Sequence, residues 1–305
     1  MQTKILLVII GAFLMIGTTL ADDRSVLEDV YNAFQGHAWE DQTNWLTNRH
    51  VCFWFGVTCN KDNNVSALVI MDNNLSGKIP ASLGQLKTVE YIDLSDNFIY
   101  GTIPEEIGAN PNLRSLNLAN NMLSGGLPNW FSSHKSLYTL VLSANNLTGS
   151  IPSLSGPREL TILVLENNNF TGTLPTFTNG INIEVLDLDN NNITGSIPAS
   201  YGSIKTLRDI ELANNRLYGT IPSEFGNLRI LDTLYLSGNR LSGSIPPSFI
   251  DLKMMKNIVV NNNILSGDIP SSLGYMPELV TCRLQQNQLN CPPPSNLPTL
   301  CKTDC

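Results

Sequence analysis

The chain has 305 residues and a formal net charge of −8, with 14% charged and 42% hydrophobic residues. An acidic chain without Lys/Arg clusters offers no counter-charge to nucleic acid or to an anionic membrane surface, so both partner classes are excluded. Length alone suggests two domains, but an internal repeat makes one elongated domain, capped at both ends, the better expectation.

Residues 1–21 read as a secretory signal: Lys4, an apolar run over residues 5–16, then Thr19-Leu20-Ala21 as a small-residue cleavage site. The run is short for a membrane span. Removing Lys4 takes the formal charge from −8 to −9, one positive charge fewer. No second apolar run follows and the C-terminal residues are polar, so neither a spanning helix nor a lipid-anchor tail is expected. The expected product is soluble and secreted, extracellular or in a cell wall, with no stable membrane insertion.

Residues 22–64 read as an N-terminal cap. A helix is expected over residues 22–34, with Ser25-x-x-Glu28 as a capping box and Val26, Leu27, Val30, Tyr31 and Phe34 at helical spacing. Trp39 and Trp45 follow, then Cys52-Phe-Trp54-Phe-Gly56-Val57-Thr58-Cys59. The first coil of a stack has no neighbour, so aromatics and a disulfide would cover its open end. In an exported chain a Cys52–Cys59 bridge is expected rather than a redox site.

Residues 65–290 repeat one pattern, clearest at residues 137–152: Leu137, Leu140, Leu142, Asn145, Leu147, Gly149, Ile151, Pro152. Its asparagines are Asn73, Asn97, Asn121, Asn145, Asn168, Asn191, Asn215, Asn239, Asn263 and Asn287, ten in all, 24 residues apart except for two gaps of 23 around Asn168. A fixed period in this range means a solenoid of stacked coils. The alternation before each asparagine, as in Leu186-Asp187-Leu188-Asp189, predicts one short strand per coil with the leucines inward. One coil cannot bury those leucines, but stacked coils share a core, and strands returning in one direction make a parallel sheet. The asparagine amide is placed to satisfy backbone groups of the turn and of the neighbouring coil. The Gly-x-Ile-Pro that follows supplies a permissive backbone position, an inward apolar residue and a stop on pairing. At about 4.8 Å between strands, ten coils span roughly 43 Å.

These repeats, with the cap before them, resemble the plant-type leucine-rich repeat of receptor-kinase ectodomains and polygalacturonase-inhibiting proteins. The resemblance covers residues 65–290, and C-x-W-x-G-V-x-C with paired tryptophans is similar to the family's N-terminal cap. It implies an α/β class fold: a curved right-handed leucine-rich-repeat solenoid with its parallel sheet on the concave side, and a binding role. Polygalacturonase inhibitors usually carry C-C-x-W in the cap, where this chain has Cys52-Phe-Trp54. Unlike receptor kinases, it shows neither a span nor a kinase.

Residues 291–305 read as a C-terminal cap. Cys282 takes an inward leucine position, Cys291 replaces the repeat glycine, and Cys301 and Cys305 follow in a Pro-rich tail. Two further disulfides are expected, with three pairings open. No C-x-x-C spacing and no nearby histidine point to metal. Sequons stand at Asn64, Asn74, Asn146, Asn169 and Asn192. The last four directly follow a ladder asparagine, which places them in solvent-facing turns open to glycosylation; the repeat's own Asn-Asn-Leu-Ser/Thr wording also generates such sequons.

No catalytic motif is present, and His37, His50 and His134 are scattered. An open solenoid lacks the closed pocket catalysis uses, so neither an enzyme nor a cofactor is expected. Recognition is read from strand positions pointing out of the concave face. Seven residues before the asparagine stand Glu90, Arg114, Glu184, Arg208, Asp232 and Lys256, a structural ion-pair ladder at the rim. Nearer the turn, Asp187 adjoins Glu211 and Glu166 adjoins Asp189, with Asp209 on the same patch. Like charges on adjacent strands repel, and a local rule broken without evident compensation marks a functional site. The patch is expected to receive a basic or polyhydroxyl partner, with Tyr91, Tyr138 and Tyr235 as amphipathic anchors; a solvated acidic face is the plainer alternative. Asp187 and Asp189 share a face as a glycosidase pair does, but without a cleft. A further row, Thr102, Ser150, Thr173, Ser196, Thr220 and Ser244, carries hydroxyls that ice or a polysaccharide would match. The expected function is a secreted, non-catalytic recognition module for an extracellular protein, peptide or polysaccharide. A polygalacturonase-inhibitor-like role is the alternative, and ice binding a lesser one.

Overall fold

The computed structural model describes residues 22–154, 156, 158–177 and 180–305, and the secretory signal expected at residues 1–21 lies outside the described residues. Each coil places three strand residues on the concave side, the middle one buried and its neighbours facing out, as in Ser115–Asn117, Ile162–Val164 and Asp209–Glu211. These strands join one 12-stranded sheet among the described residues, ordered along the chain. The register keeps each row together: Val185 pairs with Asp209 and Asp209 with Thr233, while Asp187 pairs with Glu211 and Glu211 with Tyr235. All neighbouring pairs are parallel except the first, where Val57–Cys59 runs antiparallel to Val65–Val69. Only a short turn joins those two segments, and a parallel return needs a crossover.

The inward rows form a continuous core. Leu116, Leu118, Leu142, Leu165, Leu186 and Leu188 have no exposed surface, and each fully buried leucine contributes about 1.5–3 kcal/mol relative to an exposed one. Phe170 is buried behind its flank strand, and Tyr201, Phe225 and Phe249 are buried beneath the 3-10 helices. The strand exit is built by two residues. The residue before the ladder asparagine is left-handed (φ +52° at Ala144, +55° at Asn167), which turns the chain. The ladder amide then spans two coils. Asn145 Nδ2 donates to Leu118 O of the preceding coil at 2.9 Å and to Leu142 O and Ser143 O of its own at 3.2 Å; its Oδ1 accepts Leu123 N–H at 2.8 Å.

The residues after each asparagine form further strands that the alternation before it did not announce. Two five-stranded parallel sheets line this flank among the described residues, with Asn146–Ser150 in one and Arg216–Thr220 in the other. Gly243 shows why the glycine recurs there: its φ is +74°, and an added Cβ would lie 2.9 Å from Thr220 Cγ2. The two flank sheets are joined at the 23-residue coils by a Thr173–Thr194 bridge, with Asn192 N–H donating to Phe170 O and Thr194 N–H to Gly172 O. Short 3-10 helices follow the Ile-Pro steps, as at Ala199–Ser203 and Ser223–Asn227.

At the N-terminal end the helix runs Asp23–Ala33, and the expected Ser25–Glu28 capping box does not form. Asp22 is the cap instead: its Oδ1 accepts Ser25 N–H at 2.8 Å, and Glu28 pairs with Arg24 at 2.9 Å. A carboxylate one turn earlier supplies the acceptor at the start of the helix dipole. Trp39 and Trp45 pack edge to face at 4.9 Å, and Trp54 adjoins Trp45 at 4.8 Å. Disulfides join Cys52–Cys59, Cys282–Cys301 and Cys291–Cys305, which selects one of the three C-terminal pairings. Cys301–Lys302 adds the last parallel strand beside Thr281–Arg283.

Replacing Asn145 with Ala strands a buried amide and the carbonyls it meets, at about 1–3 kcal/mol per unsatisfied group. Chemical denaturation of Asn145→Ala is expected to show a loss of about 3 kcal/mol. A loss below about 1 kcal/mol would mean the ladder is dispensable.

Candidate recognition surface

The concave rows sort into two separate sites. The first is acidic. Asp187 ends one strand and Glu211 faces it from the next, while Asp189 stands two residues past Asp187. Carboxylate oxygens of Asp187, Asp189 and Glu211 lie within 4.8 Å of one another. All three are half-buried, as are Glu166 and Asp209, because strands packed this closely shade one another's side chains.

The expectation that these charges go uncompensated needs correcting. Asp187 Oδ1 accepts Asp189 N–H at 3.1 Å, and Asp189 Oδ1 accepts Ala213 N–H from the next coil. Asp93 and Asn117 cap the strand exit in the same way, through Ser95 N–H and Ala119 N–H. A carboxylate at this row therefore has a structural use, and repulsion remains only in part. Burial raises the Asp187 carboxyl to about 7 despite its N–H bond, with Glu166 and Glu211 adding to the rise. Burial, then the neighbouring Asp187, lifts Asp189 to about 8. Glu211 is raised by burial and by Asp209. Asp209, at the other end of its strand, is raised chiefly by burial and further by Asp232, against the lowering influence of Thr233, Arg208 and Lys256.

The tyrosines do not gather at this patch. Tyr235 does, opposite Glu211 in register. Tyr91 and Tyr138 belong to a second site further towards the N-terminus, on either side of Arg114. With Ser115 and Thr139 they line a groove of about 360 Å³, and both rings are about half exposed. Arg114 Nε lies 3.3 Å from Glu90, and Arg208 Nε 3.6 Å from Glu184. With Lys256–Asp232 these are separate pairs among the described residues, not one continuous ladder. Sequence reasoning placed Arg114 in a structural rim and missed the groove. The signal was there: Tyr91 in one row and Tyr138 in the next bracket Arg114 a coil away on each side.

The hydroxyl row is exposed but uneven. Gly126 interrupts it, and Ser196, Thr220 and Ser244 border a groove of about 560 Å³ rather than a plane. Of the sequons, Asn64, Asn74, Asn146 and Asn169 are exposed; Asn146 and Asn169 open flank strands rather than lying in turns. Asn192 is half-buried, and its Oδ1 accepts Arg216 Nη2 at 2.8 Å. The acidic triad is the oxygen-rich donor set that a hard cation or an ammonium or guanidinium group takes. His50 lies beside Cys52 and Cys59, but their disulfide removes both thiolates.

Comparisons with known proteins place these observations. Leucine-rich repeat family models match residues 158–217, 181–241, 88–110, 112–134 and 231–252. Leucine-rich repeat protein 1 of Arabidopsis thaliana is 44% identical over 43 residues, 14% of this chain and 20% of the relative. A probable inactive leucine-rich repeat receptor-like protein kinase of the same plant is 36% identical over 91 residues, 30% of this chain and 13% of the relative. The chain thus matches a fifth or less of the length of either. Among solved structures, the plant peptide hormone receptor RGFR1 in complex with RGF2 is 33% identical with TM-score 0.68, over 75% of this chain and 37% of that one. The Arabidopsis receptor kinase HAESA, with the peptide hormone IDA and co-receptor SERK1, is 26% identical with TM-score 0.62, over 88% and 46%. A plant ice-binding protein shares the fold at 23% identity and TM-score 0.66, over 93% and 98%.

The raised carboxyls fix a pH dependence. The folded state holds protons that the unfolded chain releases above the ordinary carboxylate value of 3.8, so stability falls as pH rises from about 4 to about 8. Asp189→Asn keeps an acceptor for Ala213 N–H and removes the charge. Its unfolding midpoint is expected to match wild type at pH 4 and exceed it by about 2–4 °C at pH 8, the shift that roughly 1 kcal/mol produces. Thermal melts across this range check it; a difference independent of pH would contradict the raised carboxyls.

Proposed function

This chain is a plant-type leucine-rich-repeat protein, and we propose that it is a secreted, non-catalytic module that binds a peptide or protein ligand on its concave sheet. The observation that carries this reading is the half-buried acidic cluster of Asp187, Asp189 and Glu211, with Glu166 and Tyr235 beside it. Charge held on a rigid sheet and partly withdrawn from water interacts more strongly with a cationic partner than exposed charge does. Neighbours solved as receptors with peptide hormones support a peptide ligand. The three disulfides fit an oxidising compartment. No described helix is long and apolar enough to cross a membrane. Glycans on the exposed Asn146 and Asn169 would stand on the flank and leave the concave face open.

The test is capture from extracellular fluid by wild-type protein and by the triple variant Glu166→Lys, Asp187→Lys, Glu211→Lys. The bound ligand is expected to drop at least tenfold in the variant, equivalent to about 1.4 kcal/mol, and to persist with Thr220→Lys on the flank. Equal capture by all three proteins would refute a concave acidic site.

A further inference from the structure

The Tyr91–Arg114–Tyr138 groove has no role in the acidic reading, yet it is a concavity of about 360 Å³ walled by two aromatic rings. Arg114 projects from the coil between those of the two tyrosines: Tyr91 pairs with Ser115, the residue after Arg114, and Tyr138 N–H donates to Arg114 O. Each ring walls one side of the groove. Glu90 approaches the guanidinium at Nε, 3.3 Å away. A guanidinium has five N–H donors in a planar fork, so the Glu90 contact orients the group and leaves its Nη edge for a second carboxylate. The other rim arginine lacks this setting. Arg208 is followed in its row by Asp232, whose charge opposes an anion, whereas Arg114 is followed by the neutral Tyr138. Tyrosine walls add amphipathic contact surface with a hydroxyl at the tip.

Between the groove and the acidic cluster the outward positions are uncharged: Thr139, Val141, Ile162 and Val164, all half-buried. From the Ser115–Asn117 strand to the Val185–Asp187 strand is three strand steps, about 14 Å, and Arg114 and Asp187 are offset by three rows, about 10 Å along the strands. The diagonal is about 17 Å, the length of five extended residue steps at about 3.4 Å each.

We infer that this groove is the anchoring subsite for a carboxylate of the peptide ligand, held by Arg114 between the two tyrosine rings. The ligand is then an extended segment with that carboxylate at one end, small apolar side chains over the valine strip and a cationic group about five residues away at the acidic cluster. This rests on the concave-face reading and adds the ligand's chemistry, polarity and span.

Two ladders of blocked peptides test it, Glu-(Ala/Val)n-Lys and Lys-(Ala/Val)n-Glu, with n from 1 to 8, measured by fluorescence anisotropy against the full protein. Binding is expected to peak near n = 4 in one chain direction, and to fall at least tenfold in Lys-(Ala/Val)4-Lys. Arg114→Gln is expected to lose at least tenfold for the best peptide, and Arg114→Glu to prefer the peptide with lysine at both ends. Tyr91→Phe should bind nearly as wild type and Tyr91→Ala should not. Arg114 is exposed, so unchanged circular dichroism and unfolding midpoint verify that its variants fold. If Arg114→Gln binds every probe as wild type does while Asp187→Lys with Glu211→Lys abolishes binding, the groove inference fails and the acidic site stands. If neither substitution matters, or wild-type protein binds no probe, both fail.

Discussion

Each coil leaves backbone carbonyls facing inward where its strand ends, and one asparagine amide per coil answers them. Asn121, Asn168, Asn191, Asn215 and Asn263 repeat the donation of Asn145 to a carbonyl of the coil before, at 2.9–3.1 Å. Leucine burial drives the stacking, but it is nondirectional and would tolerate a slip between coils. The amide does not: a shift of one residue leaves donors and acceptors buried without partners. Register in the ladder is what makes each outward row a straight line of side chains, so the recognition face inherits its order from a hydrogen bond on the inward side.

On that ordered face, charge is segregated rather than mixed. Opposite charges at the rim meet as local pairs, Glu90 with Arg114, Glu184 with Arg208 and Asp232 with Lys256, and exposed pairs of this sort contribute little to stability. The acids nearer the turn have no cationic partner among the described residues, and Asp187 and Asp189 accept backbone N–H bonds instead. The cost of holding them together is reduced by proton uptake, which is why Asp187 and Asp189 titrate near neutrality. A cation bound at the proposed site would displace those protons, which would couple its binding to pH through the same two side chains.

The solenoid, its parallel sheet and the asparagine ladder were legible in the sequence because all three follow from one period of 23 or 24 residues. What the period does not encode was harder to read. The flank sheets arise from the two to five residues after each asparagine, too short a stretch for alternation to declare itself. The helix cap moved from Ser25 to Asp22 because two overlapping signatures compete and only backbone direction decides between them. At the recognition face the rows were visible but their depth was not. Carboxylates that looked exposed in a row are half-buried by neighbours 24 residues away, and Tyr138 left the acidic patch for Arg114 because its row sits three residues nearer the rim. Reading adjacent rows together, rather than one at a time, would have found the groove.

The two ends of the stack carry a consequence of their own. A parallel coil edge is a template: its unpaired N–H and C=O groups would accept the first coil of another copy, and then another, as fibrils grow. Here one terminal strand is reversed and backed by three tryptophans, and the other is stitched to its neighbour through Cys282–Cys301. A second copy would therefore meet a cap at each end rather than another repeating coil, which disfavours head-to-tail stacking.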